Sequence, residues 1–441
     1  MENRRVWYLG VSLILCFAAL LGLMISVGAP AHARADSRYV ASGGTDGGDC
    51  TDSGNPCQTV QYAVDVAAPG DTIKVAAGVY SGVQERAGVT QMVYLSKTVT
   101  IRGGYTTDNW MMPDPEANPT TLDVEGSGRV IYITGDISLT LEGLRIVGGY
   151  TADAGGGIFA YGATLTVSQT LIANNTAEDK GGGIGTQATE LSVIDCRIHS
   201  NVTAQQEGGG VGVYNGSHLN LIRSWVVANA SPTNDGGGVF AGDGGSLYVE
   251  NSIIAGNTAN DSGGALSLGG EGPHRIVNSH LVGNHADAEG GAAATYQAVS
   301  VVMTNTLIIS NTGSTGFDDE YGNSAVFRLD HCDTYGNSPD GTVGLTIIRA
   351  NCLGSPPEEG LDPRLAGGAL PGGVGPAFAA QWLNYDYSLL AGSPAIDAGT
   401  SVGAPATDIV GVRRGVPDLG AYESPWTLHL YLPLILGAYA A

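Results

Sequence analysis

Cations are scarce in this chain: Lys and Arg total 19 of 441 residues against 42 Asp and Glu, a formal net charge of −23. Such a surface repels phosphate backbones and anionic bilayers, which argues against nucleic acid as a partner and reads as the solvated acidic turns of an exported protein. Helical periodicity is missing too. From Gly155 to Asn337 no stretch spaces its apolar residues at 3.6, which argues against a helical repeat. After the N-terminal segment, the apolar run Leu428–Leu436 is short and broken by Pro433, so it cannot span a bilayer as a helix of about 20 residues.

Glycine, in contrast, is abundant, at 68 residues more than twice the average usage, and it is periodic. Asparagine returns at Asn175, Asn201, Asn229, Asn257, Asn284, Asn311 and Asn337, at steps of 26, 28, 28, 27, 27 and 26. Between these asparagines, glycine clusters recur in phase at Gly155–Gly157, Gly181–Gly183, Gly208–Gly210 and Gly236–Gly238, then as Ser262-Gly263-Gly264 and Glu289-Gly290-Gly291. A constant period of this length marks a solenoid, whose units bury their apolar faces against their neighbours.

Within each unit the pattern alternates with period 2. Ile158/Ala160, Ile184/Thr186, Val211/Val213 and Val239/Ala241 share one phase, and Phe159/Tyr161, Tyr214 and Phe240 the other. A second alternating run begins ten residues before each asparagine, as in Leu165-Thr-Val167 and Leu247-Tyr-Val249. Short strands with glycine corners predict an all-β, parallel β-helix. At a coil spacing of about 4.8 Å the asparagine amides can bond up and down one column. Five residues before each asparagine stands a small residue, Thr170, Cys196, Ser224, Ser252, Ser279, Thr306 and Cys332, which suggests an inward stack.

The ends differ from the middle. Arg4-Arg5, the apolar stretch Val6–Val27 and Ala31-His32-Ala33 fit a secretory signal over 1–33; the competing reading is an uncleaved membrane anchor, the one route to a membrane. Coils then fill 34–355, with the regular ones at 139–340. Val60, Ala63, Val64 and Ala67 lie on one face of a capping helix within Pro56–Ala68 that stops at Pro69-Gly70. A loop from Thr106 to Pro119 carries Trp110 and three prolines; long loops on a solenoid often carry function, but a packing flap is the favoured reading. Cys50 and Cys57 suit a local disulfide outside the cell. Cys196 and Cys332 are five coils apart, roughly 24 Å, too far to bond, so Cys196 should be a buried free thiol. Cys332 can pair with Cys352 if the last coil shrinks to about twenty residues. From Ser355 onward prolines and glycines mark an irregular region over 356–424, followed by an apolar tail, 425–441.

That C-terminal region reads Gly392-Ser-Pro-Ala-Ile-Asp397-Ala-Gly399, then Asp408-Ile-Val-Gly411, Arg413-Arg414 and Asp418-Leu-Gly-Ala-Tyr422-Glu423. It resembles the "choice-of-anchor Q" region of secreted bacterial right-handed parallel β-helix repeat proteins with a pectin-lyase-like fold. The glycine-rich coils are similar to the repeats of polymorphic outer-membrane proteins, and Pro56 to Tyr80 resembles the first coil of pectin-lyase-like chains. The resemblance implies a right-handed solenoid that is exported and attached at the cell surface, although neither an L-P-x-T-G signal nor an outer-membrane barrel is present.

Catalysis on such a scaffold needs converging carboxylates, with a cationic base for a lyase or a second carboxylate for a hydrolase. Asp318-Asp319-Glu320, with Arg328 and His331 downstream, is the best local cluster. It lacks the G-H-G and R-x-K motifs of polygalacturonases and is expected in a corner loop, where acidic residues are ordinary; Ca2+ is the only cofactor it suggests. His274, His280 and His285 are spaced wrongly for a metal site on a strand. Phe159, Tyr161, Tyr214 and Phe240 should point outward from one face, where rings can stack on sugars. The expectation is a secreted or surface-displayed, non-catalytic, adhesin-like protein that binds carbohydrate or an envelope component. The alternatives are a polysaccharide lyase or glycoside hydrolase, and a structural surface protein.

Overall fold

The computed structural model describes residues 36–425 apart from 271–272, 298, 342–343 and 355–359. The expected signal segment and the apolar tail beyond Pro425 lie outside the described residues. The chain winds as a parallel β-solenoid whose strands stack into four sheets. Sheet A has twelve strands, from Ser37–Val40 to Thr346–Ala350; sheet B has nine, from Gly78–Tyr80 to Leu307–Ile309; sheet C has ten, ending at Phe317–Asp319. A fourth, sheet D, stacks six two-residue strands such as Thr176–Ala177 just after the asparagines. The two-residue strands of sheet D are too short to show alternation in the sequence.

The alternation places one phase inside. Leu165, Leu191, Leu219 and Leu247 pair in register on sheet A and are 0 to 1 % exposed. The ladder asparagines from Asn175 to Asn311 are also buried, and the terminal Asn337 half-buried: the Nδ2 of Asn201 donates to Asn229 Oδ1 at 3.0 Å and to Ile172 O at 2.9 Å, and the pattern repeats from Asn175 to Asn337. The small-residue column is inside as well, Ser224 N donating to Ser252 Oγ and Ser252 N to Ser279 Oγ.

Corners are turned by single left-handed residues. At the A-to-B corner Gly143 does this in the first regular coil, and after it the residues are not glycine: Gln169, Asp195, Arg223, Asn251, Asn278, Asn305 and His331 all have φ between 46° and 54°. A left-handed non-glycine residue costs on the order of 1 kcal/mol, and the stacked hydrogen bonds on either side hold it there.

At the N-terminal end the helix Val60–Val66, capped by the Thr59 side chain, packs on the core through Val60, Ala63 and Val64. Cys50 and Cys57 form a disulfide. The 106–119 loop folds back so that Trp110 is buried against Tyr39 and Tyr105.

The region from Leu361 to Pro425 lies against the outer face of sheet B. Trp382 occupies room that exists because Gly256 and Gly283 lack side chains: a Cβ there would stand 2.3 Å and 2.2 Å from its ring. The left-handed asparagines supply polar contacts, Asn251 Nδ2 to Thr407 O and Asn305 Nδ2 to Thr400 O, both at 2.7 Å. His280, fully buried, accepts from Ala421 N. Within the region Arg414 pairs with Glu423 at 2.9 Å, and Asp408 accepts from Val410 N, Val412 N and Glu423 N. The motif residues therefore bind one another and the coils.

Candidate functional site

Sheet C carries the candidate residues on its outer face. One column runs through consecutive coils as Tyr94, Tyr132, Phe159, Gly185, Gly212, Phe240, Ser267, Ala294 and Asp318. A second, two residues further along each strand, contains Tyr161, Gln187 and Tyr214. The aromatic candidates and the acidic cluster thus belong to one face, a relation concealed by the 78-residue separation of Phe240 from Asp318 and by more for the other rings.

The four predicted rings do not share one environment. Tyr161 is 48 % exposed and Phe159 half-buried, whereas Tyr214 and Phe240 are only 8 % and 3 % exposed. The expectation of four open rings is corrected by what lies over two of them. Lys180 Nζ sits 5.6 Å from the centroids of both Tyr214 and Phe240, and Tyr296 stacks on Phe240 at 5.7 Å and 4°. Tyr296 reaches that far because Gly242 and Gly269 leave its path clear. Nothing in local spacing signals it except two bare glycines in outward positions.

An aromatic ladder does stand accessible at the N-terminal half of the face. Tyr94 and Tyr132 stack at 5.5 Å and 8°, and Tyr132 meets Phe159 at 5.5 Å. All three are half-buried. The Arg129 guanidinium lies 5.3 Å and 5.4 Å from the Tyr132 and Phe159 rings and donates to Ala154 O and Gly155 O. Burial lowers its pKa to about 10. Tyr94 and Tyr132 escaped the sequence analysis because they precede the regular repeat.

The C-terminal half is acidic. Lys180, Glu207, Asp235, Ser262 and Glu289 precede the glycine clusters and form a wall beside the sheet, each glycine N–H bonding to the carbonyl of the next wall residue. Lys180 pairs with Glu207 at 2.6 Å. Asp235, whose Oδ1 accepts from Ser262 N, is raised to about 7, chiefly by burial, with Glu320, Asp261 and Glu207 adding repulsion. Burial and a hydrogen bond with the Glu289 carboxyl raise Asp318; burial raises Glu320. A cleft of about 490 Å³ opens here between Glu289, Asp318, Glu320, Tyr321 and Asp340.

The Asp318-Asp319-Glu320 run is not in a corner loop, as expected, but on and just beyond the strand Phe317–Asp319. Alternation parts it. Asp318 continues the outer column, while Asp319 pairs with Thr295 in the inward column and its Oδ2 caps Ala325 N. Arg328 and His331 belong to sheet A and its corner, away from this face. His274 is buried with its Nε2 on Gly269 O, His280 faces the C-terminal region, and His285 bonds Asp287, so the three histidines stay apart. Among the described residues no three His, Cys, Asp or Glu side chains are grouped to hold a metal ion.

Residues 120–286 match the family described as right handed beta helix region. Among solved structures the chain is similar to pectate lyase Pel9A, at 17 % identity and a TM-score of 0.52 over 88 % of this chain and 96 % of that one. A rhamnogalacturonan lyase is matched at 13 % identity and a TM-score of 0.47 over 76 % and 91 %. No curated protein matches the sequence. The family match and the likeness to pectate lyase Pel9A establish the parallel β-helix fold.

Proposed function

We propose that the outer face of sheet C binds an extended polysaccharide, with the Tyr94–Tyr132–Phe159 ladder and Tyr161 as the stacking platform. The ladder carries the proposal: three rings in register along the solenoid axis present their edges as a continuous apolar strip, and the exposed Tyr161 beside it is the ring whose face a sugar can stack on. The solenoid shared with pectate lyase Pel9A hosts unrelated activities, so the fold alone assigns none. Glu289 and Glu320 on the same face, joined by Asp235 and Asp318 as these ionise, would repel a polyuronate, and the preferred glycan is therefore neutral or amino-substituted. Export and display on the cell surface, an adhesin-like setting, accord with the signal-like N-terminus.

A second reading, glycosidic bond cleavage, is favoured by one observation: Asp235, held near pH 7, stands within the field of Glu320, so the face contains a carboxyl able to give or take a proton at neutral pH. A panel of neutral, amino and uronate polysaccharides, scored for binding and for released sugars, tests both readings. Binding to neutral or amino glycans without release supports the first, release abolished by Asp235→Asn establishes the second, and no binding to any member refutes both.

A further inference from the structure

The last strand of sheet A, Thr346–Ala350, has among the described residues a single neighbouring strand, Val326–Asp330, and its residues alternate between exposed and half-buried, so it contributes little to the core. Such an end strand is where a solenoid frays or joins another edge. The first strand of the same sheet, Ser37–Val40, is secured differently: Tyr39 N donates to Cys50 O, Cys57 N donates to Tyr39 O, and the Cys50–Cys57 disulfide closes the loop between them.

At the far end the coil is shortened. Val326 pairs with Thr346 and Asp330 with Ala350, a step of 20 residues in place of the 26 to 28 of the regular coils. The shortening puts Cys352 directly after Cys332 in the small-residue column. Leu353 N donates to Cys332 O, and the preceding residues His331 and Asn351 turn the corner with matching φ of 50° and 53°. Each sulfur points to the carbonyl of the level before, Cys332 Sγ to Met303 O and Cys352 Sγ to Leu329 O. The same column holds Ser224, Ser252 and Ser279, so nothing about packing alone calls for sulfur here. Neighbouring levels stand about 4.8 Å apart, within the Cα separation that a disulfide spans.

We propose that Cys332 and Cys352 are an oxidisable dithiol whose disulfide staples the terminal coil, as Cys50 and Cys57 staple the first. Cys332 is fully buried, whereas Cys352 is half-buried and is the thiol a reagent reaches first. The neighbouring Cys332 thiol, by its hydrogen bond, holds Cys352 below the usual thiol range, which favours it as the attacking thiolate. Cys352 attacks a small-molecule disulfide R–S–S–R, forms Cys352–S–S–R and releases one R–SH. Cys332 then loses its proton, attacks the Cys352 sulfur and expels the second R–SH. Two protein thiols and one external disulfide give one protein disulfide and two small thiols, so the external disulfide takes both electrons and both protons.

The test is to incubate the folded full chain with oxidised glutathione, block remaining thiols and digest with trypsin, which cuts after Arg328, Arg349 and Arg364. Peptides 329–349 and 350–364 should appear disulfide-linked, and amide exchange across Thr346–Ala350 should slow about a hundredfold relative to the reduced protein, the size expected for closing a loop of this length. Cys332→Ser, a substitution that places in the column the residue already present at three other levels, should fold and abolish both effects. Linkage to Cys196, linkage only between molecules, or retention of both thiols at full glutathione oxidation would each overturn the proposal.

Discussion

Asn229 offers the sharpest perturbation of the ladder. Its amide is wholly satisfied and wholly buried: Nδ2 donates to Asn257 Oδ1 and to Ile198 O, each at 3.0 Å, while Oδ1 accepts from Asn201 N and Asn201 Nδ2, each at 3.0 Å. Asn229→Leu keeps the number of side-chain heavy atoms but leaves the Asn201 N–H and one Asn201 Nδ2–H without partners, while Ile198 O loses one donor but stays within the paired strand Arg197–His199. Asn257 Oδ1 retains the backbone N–H of residue 229. Two buried donors left unpaired cost about 1 to 3 kcal/mol each, so a loss on the order of 4 kcal/mol is expected. Because each coil contacts only its neighbours, the damage should centre on the levels of residues 201, 229 and 257. Urea denaturation followed by circular dichroism measures the loss, and amide exchange locates it. Asn220→Leu, on a half-buried outward position of sheet A, is the control and should shift stability by no more than about 0.5 kcal/mol. An Asn229→Leu protein as stable as the control, with exchange at Asn201 unchanged, would refute the ladder's role.

Phe240→Ala should cost about 3 kcal/mol, since the ring is buried beneath Lys180 and Tyr296, and calorimetry should show a lower melting temperature where Tyr161→Ala shows none. The raised pKa of Asp235 has a definite sign: its folded value, about 7, lies above the unfolded 3.8, so the native state binds the extra proton and stability falls as pH rises between about 4 and 7. Asp235→Asn should therefore reduce that slope, and an unaltered pH profile of melting temperature would contradict the assignment. Arg414→Met leaves Glu423 buried without its partner, at a cost of about 3 to 5 kcal/mol. The C-terminal region should then detach, exposing Trp382 to a red shift in fluorescence while the far-ultraviolet β signal persists.

The coil period, the ladder and the two strand phases are legible because the repeat restates them at every level, and each asparagine step confirms the last. What escaped depends on contacts between levels. Alternation correctly turned Phe240 outward, but Lys180 belongs to an earlier coil and Tyr296 to a later one, and both cover it. The same alternation, applied to Phe317–Asp319, would have sent Asp319 inward; the acidic run was read as a loop because three carboxyls in a row have no apolar partner to mark a strand. The role of Gly256 and Gly283 in seating Trp382, about a hundred residues away, has no local sign at all. Resemblance flagged the motif around Arg414, Asp418 and Glu423, but its own hydrogen bonds and the Asn251 and Asn305 contacts give those residues a docking role on sheet B.

The claim that sheet C is a glycan-binding face is tested most directly by affinity for a neutral polysaccharide, measured side by side for the wild type and for Tyr132→Ala combined with Tyr161→Ala. Loss of ring stacking should weaken binding at least tenfold, on the order of 1.4 kcal/mol, with melting temperature held and uronate polymers bound by neither protein. Equal affinity of the two proteins for the neutral polymer would contradict it.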